Sequence, residues 1–181
     1  MNGAHWHLVL NHIPVIGIWF GIAFLIFGLI RRKEILTKSA LWIFLLLALI
    51  TIPAFLTGEA AEEIVEKIPV VSENVIHDHE ETAELAFLAL LIVGFISLLG
   101  LVLPIFTRKR PAAITFLLLL GSVIAAVLMA LTANTGGQIR HPEIKSGITQ
   151  NELLDDYRGF YSPDTTVFDV DGDSIEVDDE D

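Results

Sequence analysis

Four long runs of uncharged, mostly apolar residues decide what this chain can become. They are Ile13 to Ile30, Ala40 to Leu56 with one Thr, Leu85 to Phe106 with one Ser, and Pro111 to Ala133 with a few hydroxyls. At about 1.5 Å of rise per residue, runs of this length cross a hydrocarbon core of roughly 30 Å. A helix lying against water would need a polar face, and these have none. The chain is therefore expected to be an all-α membrane protein with spans near 13–30, 40–57, 83–106 and 111–133. Short connections favour an up-down-up-down four-helix bundle over residues 1–134. A polar extension with a short helix (135–162) and an acidic tail (163–181) of disordered composition should follow.

The connectors set an orientation. Arg31, Arg32, Lys33 and Lys38 fall in the first, and Arg108, Lys109 and Arg110 in the third, which together hold seven of the eleven basic residues. The positive-inside rule places these loops in the cytoplasm, and both termini and the second loop outside. Every acidic residue except Glu34 then lies on the outer side. The net charge of −12 is an acidic exterior, which argues against nucleic acid as a partner. No basic region precedes the first apolar stretch, so that run reads as a retained helix rather than a signal peptide. With no cysteine, the chain has no disulfide, thiolate metal site, iron–sulfur cluster or covalently attached haem.

All six histidines, His5, His7, His12, His77, His79 and His141, fall at or just beyond the same ends of the four runs. A weak internal repeat accompanies them. Each half has a histidine-headed helix (His12, then His79), a basic turn, and a second helix closing on Thr57-Gly58 or Thr135-Gly136. Duplication of this kind predicts related positions for His12 and His79. The third helix is expected to begin after Ser72 as cap, with His77, Glu80, Glu81 and Glu84 on one stripe. His79 leads a different stripe through Ala83, Ala86, Leu90, Val93 and Ser97, whose small residues suit contact with neighbours. In the first helix, Pro14 sits in the opening turn with His12 just ahead of it. Gly17 and Gly21 form a close-approach pair, and Trp6, Trp19 and Trp42 suit interface belts or packing.

The stretch HLVLNHIPVIG, with His7 and His12 five apart and Pro14 two further on, resembles the His-Pro-x-x-x-His-Phe-Pro opening of a bacterial family of four-span membrane proteins. That family is described only as a domain of unknown function. Thr57-Gly58, His79 and Gly136-Gly137 extend the likeness over roughly residues 5 to 145. Leu8 and Ile13 depart from it, standing where the family has proline and phenylalanine. The resemblance implies a bacterial cytoplasmic membrane location and a redox or haem role.

Haem b asks for two imidazoles from different helices and partners for its propionates. His12 and His79 are the candidate axial ligands and Arg140 the candidate propionate partner, with His7 and His141 as a second pair. The ordinary alternative is that these histidines cap helix ends in headgroup water. A non-haem metal site is the rival, drawing on His77, His79, Glu80, Glu84, Glu59, Glu62 and Glu63. In the tail, Asp169, Asp171, Asp173 and Glu180 occupy positions 1, 3, 5 and 12 of a calcium-loop pattern whose sixth position is Ser174 rather than glycine. Gly136-Gly137 is expected to end the fourth helix, and Thr149 to Glu152 to cap a short one. No nucleotide loop, nucleophile elbow or HExxH is present, so stand-alone catalysis is not expected. Two function classes follow. One is a b-type haem subunit passing electrons within a membrane redox complex. The other is a non-catalytic scaffold whose acidic tail docks a basic periplasmic partner.

Overall fold

The structure, a computed structural model, describes residues 3–67, 71, 73–107, 111–141, 167–168 and 174–175. Six helices fill the first unit: α1 (Gly3–Leu10), α2 (His12–Ile30), α3 (Glu34–Leu56), α4 (Gly58–Val65), α5 (Glu73–Thr107) and α6 (Ala112–Arg140). Four helical segments, with α1 continuing into α2 and α3 into α4, are long and apolar enough to cross a membrane. The chain is thus a multi-pass membrane protein by length and composition.

The first span is longer than its apolar run. Eight helical residues precede His12, and only Asn11 separates α1 from α2. Pro14 explains the break, because a proline lacks the N–H that would bond four residues back, and its ring crowds that carbonyl, here on Leu10. Asn11 keeps helical angles and its N–H still reaches the His7 carbonyl at 2.9 Å. One inward stripe, Pro14, Ile18, Gly21, Leu25 and Gly28, is buried. Counting back from it by threes and fours gives Asn11 and then His7.

Small residues bring neighbouring helices together. A methyl at Gly17 would lie 2.5 Å from Leu47, and one at Gly28 would lie 2.6 Å from the Thr37 hydroxyl. Gly21 seats the Phe44 ring and Gly94 seats Ala48. The helices close into a ring in which α2 packs on α3, α3 on α5, α5 on α6 and α6 on α2. Ile18, Leu25, Leu41, Phe44, Leu90, Val93 and Leu118 form its core. The outward faces stay apolar: Phe20, Phe27, Phe95 and Ile105 are exposed, as a lipid-facing surface requires. Trp6, Trp19 and Trp42 are exposed too, so none of them packs in the core.

Between α2 and α3, Arg32 adopts the left-handed conformation, φ 51°. The Lys33 N–H reaches the Gly28 carbonyl at 3.0 Å, which closes a Schellman turn. At the far end the expected stop at Gly136-Gly137 is corrected: α6 runs through both glycines to Arg140. The reason is packing, because a Cβ on Gly136 would press to 3.0 Å from the His79 ring. Glycine is needed there for close approach rather than for a turn.

In the second unit, β1 (Val167–Phe168) pairs antiparallel with β2 (Ser174–Ile175), Val167 opposite Ile175. The calcium-pattern residues Asp169, Asp171, Asp173 and Glu180 lie outside the described residues, as do the Ser72 and Thr149 caps.

Candidate functional site

Two histidines are held alike, one by the end of each half of the chain. His7 of α1 donates Nδ1–H to the Ala54 carbonyl of α3 at 2.8 Å. His79 of α5 donates Nδ1–H to the Thr132 carbonyl of α6 at 3.1 Å, with the Thr135 hydroxyl at 3.2 Å. Ala54 stands three residues before Thr57-Gly58, and Thr132 three before Thr135-Gly136. Both threonine hydroxyls turn back onto their own helix. Thr57 bonds the Pro53 and Ala54 carbonyls at 2.8 and 3.0 Å, and Thr135 bonds those of Leu131 and Thr132 at 3.3 and 3.1 Å. Each glycine then faces the imidazole. A methyl at Gly58 would sit 3.7 Å from His7 Cε1, and one at Gly136 would sit 3.0 Å from His79 Cε1.

The internal repeat is therefore real in its hydrogen bonding, and it equates His7 with His79. That corrects the pairing of His12 with His79. His12 is exposed and bonds only the Leu8 carbonyl of its own turn, at 2.9 Å. It lies one position off the inward stripe that carries His7 and Asn11, so it cannot share their face.

A carbonyl oxygen accepts but never donates, so each Nδ1 must carry the proton. The Nε2 of His7 and of His79 is then a lone pair, the tautomer that a metal-binding imidazole adopts when a backbone carbonyl fixes its other nitrogen. One turn beyond His7, the buried Asn11 Oδ1 has no hydrogen-bond partner. Thr82 extends the polar patch, with its hydroxyl 3.2 Å from that of Thr135. The stacked rings of Phe55 and Phe87, 4.3 Å apart, tie the end of α3 to the head of α5 beside it.

The other candidates fall elsewhere. His5 and His77 are exposed, and His77 stands 4.0 and 3.9 Å from Glu80 and Glu81. Glu62, Glu66, Glu73, Ile76, His77 and Glu80 line an open cavity of about 190 Å³ between α4 and α5. Among the described residues no three histidine or acidic side chains converge as metal ligands, so His77, Glu80 and Glu84 are not assembled into a site, nor are Glu59 and Glu63. His141 is exposed and opens the second unit, and the Arg140 side chain is outside the described residues. Sequence reasoning missed Ala54, Thr132, Thr135 and the rank of His7. The signal was there in the stripe from Leu25 to Pro14, extended two steps further toward the N-terminus.

No family model matches the chain, and no curated protein or solved structure matches it.

Proposed function

We propose that this protein is an electron-transfer subunit of the bacterial cytoplasmic membrane, binding one b-type haem through His7 and His79 at the outer end of an up-down-up-down bundle. One observation carries the reading: two imidazoles on different helices, each fixed through Nδ1–H to a carbonyl and each offering Nε2. Neutral imidazoles are the donor type that haem iron takes on its axial sides, and an iron porphyrin would supply reversible one-electron chemistry there. The chain's own contribution is to orient the rings, fix their tautomers and keep the iron within an apolar bundle. The basic turns at Arg31–Lys33 and 108–110 lie in the cytoplasm, and the histidine end outside. Acidic residues from Pro163 onward provide a docking segment for a basic partner.

Protein purified in mild detergent from haem-sufficient cells should give a reduced-minus-oxidised b-type spectrum. The pyridine haemochrome should report about one haem per chain, as a single bis-imidazole site demands. A colourless preparation that stays colourless with added haemin contradicts the proposal.

A further inference from the structure

Seven of the eleven basic residues gather at the end of the bundle away from His7 and His79. Gly28 of α2 lies against Thr37 of α3, and Gly100 of α5 lies against Leu41 and Ile114, so the α2–α3 turn and the α5–α6 connection share that end. Arg31, Arg32, Lys33 and Lys38 are exposed there. Lys38 is 3.0 Å from Glu34, but among the described residues no carboxylate lies within ion-pair distance of Arg31, Arg32 or Lys33. α3 begins right behind them, and its cap residue Lys33 makes no side-chain cap bond, so the positive end of the helix adds to the cations. The backbone points the same way. Arg32 holds φ 51°, the left-handed position that closes a Schellman turn and is ordinarily given to glycine. An arginine there costs stability and adds a third adjacent cation.

Apolar side chains flank the charges. Ile30 and Ile35, on either side of the turn, are 70% and 69% exposed, and Ile105 and Phe106 near the end of α5 are 74% and 79% exposed. A soluble anion offers these residues nothing, whereas a phospholipid presents a phosphate and acyl chains together. We infer that this end of the bundle is a seat for an anionic phospholipid. The phosphate lies against Arg31, Arg32, Lys33 and the start of α3, and the acyl chains run along Ile30 and Ile35. The excess of cations selects a headgroup of net negative charge, such as phosphatidylglycerol, over a zwitterionic one. The seat involves none of the histidines and does not depend on haem.

The full chain in mild detergent can be melted while phosphatidylglycerol, phosphatidylcholine with the same acyl chains, or inorganic phosphate is titrated in. Phosphatidylglycerol should raise the melting temperature to a plateau, and the other two should not. Each lysine or arginine near a lipid surface contributes roughly a five-fold gain in binding, so Arg31→Gln/Arg32→Gln/Lys33→Gln should need at least ~10-fold more phosphatidylglycerol for the same rise. All three side chains are exposed, so the variant keeps the packing of the bundle. Arg32→Gly is the second variant. It relieves the turn, so without lipid it should melt at or above the natural chain, yet it should need more phosphatidylglycerol than the natural chain to respond. Equal phosphatidylglycerol titrations for the natural chain and the triple variant overturn the seat. An equal response to phosphatidylcholine would mean acyl contact alone, and an equal response to phosphate would mean an anion site that takes no lipid; either overturns the assignment.

Discussion

At the scale of single residues, the account turns on which nitrogen of which histidine is free. His12→Ala should leave bound haem unchanged, because its ring bonds the Leu8 carbonyl one turn back and is exposed. Thr135→Val removes one of the two acceptors on His79 Nδ1 and the contact with Thr82. Loss of such an orienting partner typically costs 10- to 100-fold in affinity, so haem titration should show a drop of at least ~10-fold. Gly136→Ala separates binding from stability. Exchanging a mid-helix glycine for alanine should favour the helix by roughly 0.5–1 kcal/mol. The new methyl must also push the His79 ring aside, since it would arrive 3.0 Å from Cε1. The expected outcome is a melting temperature equal to or above that of the parent, with weakened haem binding. Gly58→Ala, at 3.7 Å from His7, should leave haem binding intact. Residue type showed that imidazoles gather at one end of the bundle. It did not show which of them faces inward, because that depends on the helical phase across Asn11, and the helix before His12 carries little apolar signal of its own.

Among the elements, the four spans were legible because hydropathy is a property of a whole run and tolerates errors at its ends. Boundaries were not legible in the same way. Gly136-Gly137 looks like a stop in one dimension, yet the pair continues α6, because in three dimensions Gly136 has a ring against it. α4 was missed since GEAAEEIV is too short and polar to register as a span. By contrast, the close-approach reading of Gly17 and Gly21 and the His79-to-Ser97 stripe hold: Ala86, Leu90, Val93 and Ser97 are all buried. Two stability tests belong here. Arg32 occupies φ 51°, where a side chain costs roughly 1–2 kcal/mol, so Arg32→Gly should stabilise the isolated bundle by a fraction of that in chemical denaturation. Gly28→Leu forces a side chain into the Thr37 backbone, with a methyl already 2.6 Å from its hydroxyl. Overpacking of this kind destabilises by about 1–3 kcal/mol or more, and unfolding in mixed micelles would read it out.

For the whole molecule, charge supplies the orientation and the repeat supplies the site. Single cysteines placed in the turn at 31–33 should be shielded from an impermeant maleimide in intact cells and labelled after lysis. One at Ala4 of α1 should be labelled from outside; the reverse pattern would invert the proposed topology. Deleting the chain from Pro163 should release a basic partner at ordinary ionic strength while leaving the bundle's haem unchanged, since the tail belongs to the second unit. An identical co-purification profile after the deletion would exclude docking by the tail.

The pairing of His7 with His79 is the central claim, and its most direct measurement is the haem content and visible spectrum of His7→Ala, His79→Ala and His12→Ala, purified side by side. The account predicts that His7→Ala and His79→Ala each change the haem content or the visible spectrum, and that His12→Ala is indistinguishable from the parent. A spectrum that changes in His12→Ala and survives unchanged in His7→Ala would contradict it.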